Sequence, residues 1–473
     1  MNSLAYALTH WYPFAMVRPR AKTRIAAPEP GWAVVGLLAW AAVGGCRPAS
    51  QADRTPLAIV ASGDTAGWIV PCGCATNQSG GLPRRGTYLR QLRSEADVIY
   101  VDVGGAAAGP SAYDRLKWQA TLRGEMAMNI AAHNLGAAEA AFGPDCLRQV
   151  AAELHVPLIS ANVRDQAGKA IAPPLRTVQA AGRTVAVVGV LSTRYATAQI
   201  QVSPPRQAIL DALARDFKRH DALIVLAYLP EDELRELAET LPEADLIVGG
   251  PTGQPVAPVR RGPTLLASAT YQGKFLGRFD APGAEPGQRW TGRIVELTGQ
   301  FADDPEQMAN LRQFYAELER RDFTPDQTSF VQPVLGKLPA GYSVAGTDRC
   351  RACHAAEGRS WDGSKHAHAW DALRTTGAQV NPDCQRCHTT VYGAPGGFLS
   401  ARRSPQRVQV GCESCHGPSQ AHVDDPKIRT VHCAQAKDRC AGCHDHHNSP
   451  KFALETYWKR IRHGRAESQE EGR

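Results

Sequence analysis

This 473-residue chain has no apolar run of membrane-spanning length where one would be looked for. The stretch at 31–45 holds about 15 residues, and a helix across a bilayer needs ~20. It also lacks the interleaving of aromatic and basic side chains that marks nucleic-acid-binding surfaces. The formal charge of +7 does not supply that missing evidence, because Arg18, Arg20, Lys22 and Arg24 fall in a leader-like segment. No nucleic-acid partner is expected. Shortage of apolar residues is not a feature, since the hydrophobic fraction of 43% is ordinary for globular proteins and excludes general disorder. The length allows two or three domains, and 43 glycines with 33 prolines imply many loops.

The basic residues at 18–24 followed by an apolar run read as a secretion signal. The run ends in Val43-Gly44-Gly45-Cys46, which resembles the lipobox of bacterial lipoproteins, where the cysteine is lipidated. A plain signal peptide and an uncleaved anchor are the alternatives. All three place the chain outside the cytoplasm. The expectation is a leader over 1–45 and a lipid on Cys46, facing the periplasm from a membrane that the sequence does not specify.

Eight of the thirteen cysteines fall into four copies of one motif: Cys350-Arg-Ala-Cys353-His354, Cys384-Gln-Arg-Cys387-His388, Cys412-Glu-Ser-Cys415-His416 and Cys440-Ala-Gly-Cys443-His444. Two thiols three residues apart reach the two vinyl groups of one haem, and the next imidazole swings under the iron. Chance would supply roughly 0.01 such motifs, so four are not accidental. A pair of zinc sites is the competing assignment; a histidine directly after every pair, in an exported chain, speaks against it. Four covalently bound haem c groups are therefore expected, with His354, His388, His416 and His444 as proximal iron ligands. The motifs recur every 28 to 34 residues, too short for separate folded cores. The haems must form the core of this region, close enough to make an electron path. For the distal positions the candidates are His366, His368, His422 and His463, with His446 and His447 behind them.

Residues 341–463 are similar to the tetrahaem cytochrome c family that accepts electrons from hydroxylamine oxidoreductase. The matching stretches are Ser364-Lys-His366-Ala-His368-Ala, Gly411-Cys-Glu-Ser-Cys-His-Gly-Pro418 with His422 after it, and Asn448-Ser-Pro-Lys-Phe452 followed by Tyr457-Trp-Lys459. The resemblance implies mostly bis-histidine haems in a compact, mostly helical, loop-rich fold, with one iron in some members left five-coordinate.

Between 46 and 300 short β-branched runs alternate with helical stretches (strands near 57–61, 98–103, 184–190, 222–227 and 245–248; helices near 84–94, 112–134, 206–219 and 231–240), which predicts an α/β domain with a largely parallel core. Further strands are expected near 264–268 and 292–297. Ser62-Gly-Asp64-Thr, Gly80-Gly-Leu-Pro-Arg-Arg85, Val101-Asp-Val-Gly104, Pro157-Leu-Ile-Ser-Ala-Asn162 and Ile247-Val-Gly-Gly-Pro-Thr-Gly253 resemble the periplasmic 5′-nucleotidase group of metallophosphoesterases, implying its sandwich fold. The chemistry departs from that group. Asp64 is kept, but Ala66, Gly105, Ala137, Ala138, Tyr228, Pro251 and Gly253 stand where it carries metal ligands. One carboxylate does not hold a dinuclear centre, so phosphoester hydrolysis is not expected.

Cys72 and Cys74, after the first strand, are either a redox or metal-binding thiol pair or a structural loop pair, bonded to each other or to Cys146. An amphipathic helix over 303–322 with Met308, Leu311, Tyr315 and Leu318 on one stripe is expected between the domains. It falls in a helix-and-linker segment, 301–340, and a disordered tail occupies 464–473. The leading expectation is electron transfer with redox partner proteins in the periplasm or membrane, the α/β domain acting as scaffold or docking module. Two enzyme alternatives stand beside it: a small nitrogen or oxygen compound reacting at an open haem, or thiol chemistry at Cys72/Cys74 coupled to the haems.

Overall fold

The computed structural model describes residues 55–71, 78–216, 219–283, 287–330, 338–432, 435–445 and 448–463. The expected leader, Cys46, Cys72, Cys74, Cys433, His446, His447 and the tail lie outside them. The first strands are β1 (Leu57–Ser62), β2 (Asp97–Asp102), β3 (Ile130–Asn134), β4 (Leu158–Ile159), β5 (Val163–Asp165), β6 (Leu175–Ala180) and β7 (Arg183–Leu191). They are followed by β8 (Ile200–Val202), β9 (Ala222–Tyr228), β10 (Leu246–Gly250), β11 (Val256–Arg261), β12 (Thr264–Ser268), β13 (Phe275–Asp280) and β14 (Thr291–Glu296).

The parallel core is divided between two six-stranded sheets, ordered β14-β13-β1-β2-β3-β4 and β11-β12-β10-β9-β7-β6. Pairing is parallel through β1-β2-β3-β4 and through β7-β9-β10-β12, with antiparallel strands at the edges. Side chains alternate across each strand. Leu57, Ile59 and Ala61 of β1 therefore meet Val185, Val187, Ile224 and Leu226 of the second sheet in one core between the sheets. Their neighbours Ala58 and Val60 face helices on the outside of the first sheet, and Val188 and Val225 face helices on the outside of the second. Both faces are covered, so these strands read as unbroken apolar runs rather than alternating ones.

One expected element divides in two. The helix foreseen over 112–134 is a helix, Ala112–Ala127, and then strand β3. Asn129 takes a left-handed backbone (φ 53°) that ends the helix. The two alanines of the Ile130-Ala-Ala-His-Asn that follows favour helix, and the sheet overrides that preference. The strand near 264–268 pairs parallel to β10, and the one near 292–297 pairs antiparallel to β13.

Residues 53–473 form one unit, with short helices and no named strand in the described residues after 341. The Pro305–Arg321 helix starts on Asp304, whose carboxylate accepts from the Glu306 and Gln307 amides (2.9 and 3.0 Å). It lays Leu311, Phe314 and Leu318 on the sheet part, while Tyr315 reaches a C-terminal cluster of Trp370, Leu373, Tyr392 and Phe398. Among the described residues no helix is long and apolar enough to cross a membrane.

Candidate functional site

The second motif ends the helix Pro382–His388, the third is the whole helix Cys412–His416, and the first spans the end of Thr347–Arg351 and the turn after it. One helical turn separates the two cysteines of each, which sets both sulfurs on one side, with the histidine next. In the first and fourth motifs the histidine amide bonds back to the carbonyl of the leading cysteine (2.9 and 2.8 Å).

The folded chain pairs three motif imidazoles with three remote ones. Ring centres are 6.2 Å apart for His354 and His422, 5.9 Å for His416 and His463, and 6.1 Å for His444 and His366. An imidazole nitrogen binds a metal at about 2.0–2.1 Å, with the ring centre roughly 1.1 Å behind it. Two rings sharing one iron then stand about 6 Å apart, so the spacing fits bis-histidine haem. The outer nitrogens are also engaged. His422 Nδ1 bonds to the Ile428 carbonyl (2.7 Å), His463 Nδ1 to the Ile461 carbonyl (3.0 Å) and His444 Nδ1 to Ser449 Oγ (2.9 Å). Such bonds fix the tautomer and leave Nε2 for a metal. Burial first, then neighbouring imidazoles, pulls His366 and His416 below the usual histidine range, which favours the neutral form that ligates.

His388 differs. Its Nδ1 bonds to the Ala369 carbonyl at 2.7 Å, the arrangement of a ligating histidine, yet among the described residues no second imidazole is stacked opposite it. His368 does not serve there. It is exposed, with Nε2 3.2 Å from the Asp362 carbonyl and Nδ1 3.5 Å from Asp371. Cys350 lies against Cys412 and Cys387 against Cys443, while Cys415 neighbours Cys440 and Cys443, so the third motif bridges the first and the fourth. A small cleft opens beside the first and third motifs, lined by Cys350, His354, Cys412, Cys415, His416 and His463.

Glu413, inside the third motif, was not legible as special. Its buried carboxylate accepts from the amides of Ala345 (2.8 Å), Gly346 (2.6 Å) and Ser419 (2.7 Å), tying the third motif to the approach to the first. A carboxylate after a cysteine gives no local cue to donors 67 residues away. Glu413→Ala would orphan three backbone donors, two of them buried, and should cost about 3 kcal/mol. Urea unfolding of the haem-loaded chain reads this directly, and a loss below about 1 kcal/mol would remove Glu413 from the framework.

In the sheet part, Asp64 follows β1 with a left-handed backbone (φ 49°). Burial first, and then the Glu139 charge, push its carboxyl up to about 6. The Tyr228 ring fills the space where the metallophosphoesterase pattern places an aspartate at Gly105, since a Cβ there would meet the ring at 2.5 Å. The phenol lies 3.4 Å from Asp64 Oδ1 and is packed against Tyr195. Deeper in, Asp102, Glu125 and His133 bring three ligand-type atoms within 4.8 Å of one another, all buried. Arg85, equally buried, stands 3.7 Å from Glu125 and donates to Tyr100 (3.1 Å) and Thr65 (2.9 Å). His133 Nδ1 is 2.7 Å from Glu125 and 3.8 Å from Asp102. Burial pulls the His133 pKa down, but the Glu125 carboxylate overrides it and lifts the imidazole to about 9. Asp102 and Glu125 thus face two cationic side chains, His133 and Arg85, in one buried network.

Comparison with known proteins agrees with the C-terminal resemblance. The family model described as cytochrome c554 and c-prime matches residues 349–417. Cytochrome c-554 of Nitrosomonas europaea is 32% identical over 111 residues, covering 19% of this chain and 47% of that protein, so the chain spans about half the length of the relative. Over the N-terminal part, the 5′-nucleotidase precursor of Thermus thermophilus is similar with a TM-score of 0.48 and 19% identity, covering 57% of this chain and 60% of that one. The calcineurin-like phosphoesterase YfkN of Bacillus subtilis has a TM-score of 0.47 and 17% identity, covering 56% of this chain and 97% of that one.

Proposed function

We propose that this chain is an exported tetrahaem electron carrier whose sheet part is a catalytically degenerate platform. The observation that carries the reading is the set of three imidazole pairs held one iron's width apart. Bound haem supplies reversible one-electron chemistry at its iron. The chain's own residues divide the work around it. The eight motif cysteines would attach it, and the imidazoles of His354 with His422, His416 with His463 and His444 with His366 would hold three of the irons. Carbonyls of Ile428, Ile461 and Ala369 and the Ser449 hydroxyl hold the rings in register. Tyr228 occupies the place of a metal ligand, which supports a platform without hydrolytic chemistry. Redox proteins of the periplasm or membrane are the partners this reading requires. A lipid on Cys46, visible in the mass of the mature N-terminal peptide, is the anchor that would hold the chain near them.

His388, which faces no second imidazole among the described residues (His446 and His447 lie outside them), motivates a second reading, in which its iron keeps an open position for a small nitrogen or oxygen compound. The decisive experiment is low-temperature EPR of the oxidised chain, with visible spectra of the reduced chain before and after carbon monoxide or nitric oxide. The expected result is three low-spin irons and one high-spin iron that takes the gas. Four low-spin irons that refuse both gases would leave the electron carrier and end the open-site reading. Fewer than four haems per chain would overturn the tetrahaem proposal itself. A dithiol role for Cys72 and Cys74 stays a third proposal, tested by whether the double serine variant alters haem reduction by the same donor.

A further inference from the structure

The motif whose histidine faces no second imidazole among the described residues is also the one seated on the sheet part. Asn381 caps the Pro382–His388 helix by accepting from the Asp383 amide (3.1 Å). Tyr113, fully buried on the Ala112–Ala127 helix, donates its phenol to Asn381 Oδ1 (2.6 Å) and lies 3.0 Å from Asp383 Oδ2. One turn further along that helix, the buried Lys117 ammonium pairs with the same carboxylate oxygen and lies over the Tyr113 ring. Arg386, between the two cysteines of the motif, stacks on Phe330 at 5.0 Å, and Phe330 packs on Tyr113. Asp383 is the residue directly before Cys384. Among the described residues, the hydrogen bonds and ion pairs between the Ala112–Ala127 helix and a motif helix all fall on this motif.

We infer that Tyr113 and Lys117 are positioning residues for the second haem. Through Asp383 they set the charge and orientation at its attachment turn, so that the sheet part tunes that haem alone. The inference rests on the proposed haem at Cys384, Cys387 and His388. A lysine that is 7% exposed keeps its field largely unscreened. Its positive charge opposes loss of an electron at a nearby iron, and an Asp383 carboxylate stripped of its partner favours that loss. A purely structural clamp would carry no such sign.

The test is a redox titration of the full haem-loaded chain, following the gas-binding haem separately from the low-spin ones, for Lys117→Met, Asp383→Asn, the double variant and Tyr113→Phe. Lys117→Met and Tyr113→Phe should lower the midpoint of the second haem. Asp383→Asn should raise it, and the double variant should return towards the wild type, while the other three midpoints stay in place. Tyr113→Phe keeps the ring and its packing, so it reports even where Lys117→Met fails to load. Unshifted midpoints in the folded variants, or equal shifts at all four haems, would overturn the inference. A wild-type chain carrying no haem on Cys384 and Cys387, read by peptide mass, would instead mean that the underlying haem assignment had failed.

Discussion

His133→Leu should destabilise the sheet part by about 3–5 kcal/mol. The substitution puts an apolar side chain of similar reach on β3 and removes one of the two cations facing Asp102 and Glu125. Glu125 and Asp102 would remain buried, with Arg85 as their only counter-charge among the described residues. The cluster also predicts a pH dependence whose sign follows from the shifts. His133 is raised from 6.5 to about 9, by Glu125 acting against burial, and Glu125 is raised from 4.5 to about 7, chiefly by burial. Both groups hold their protons more tightly folded than unfolded. The histidine's contribution is complete below about pH 6.5 and is lost as the pH rises through about 9, with a slope near 1.4 kcal/mol per unit between them. Urea denaturation of wild type and His133→Gln at pH 6, 7.5 and 9 checks this. Stability should fall with rising pH in the wild type and stay flatter in the variant. Parallel pH profiles would show that His133 does not hold the extra proton.

The second large effect concerns the remote histidines. His422→Ala, His463→Ala and His366→Ala should each add one high-spin, gas-binding iron per chain to the one expected at His388. His368→Ala should add none, because its ring is exposed and turned to Asp362 and Asp371. Added imidazole should restore the low-spin signal in the first three variants, since the free ring can enter the vacated space. Carbon monoxide titration against total haem gives the count. A gain in the His368 variant, or none in the His422 variant, would reassign the ligands.

These outcomes divide along the line between local and remote information. The haem attachment sites were legible because Cys, Cys and His sit within one helical turn and chemistry dictates the spacing. Their distal partners were legible only as a pool of candidates, since pairing His366 with His444 depends on how the loops close. The sheet strands β1, β2, β7, β9 and β10 showed as apolar runs because both their faces are buried. Strand β3 did not, because Ala131 and Ala132 read as helix. The charged cluster was invisible for a related reason: Arg85, Asp102, Glu125 and His133 come from four different elements, and their pairing depends on how the sheet and its helices come together. Tyr113 and Lys117 carried no signal of their own in the expected helix, because their partner Asp383 lies at least 266 residues further along the chain.

The imidazole pairs have a topological consequence. His354 with His422, His366 with His444 and His416 with His463 are interleaved along the chain, each pair opening before the previous one has closed. A shared iron would therefore act as a staple closing a loop of roughly 50 to 80 residues, of the length at which a covalent cross-link removes about 4 kcal/mol of unfolded-state freedom. The apolar clusters of this region are small, so such overlapping staples would do there what a large hydrophobic core does between the sheets. Haem loading and folding would then be one event for the C-terminal part, while the sheets fold on their own apolar surface.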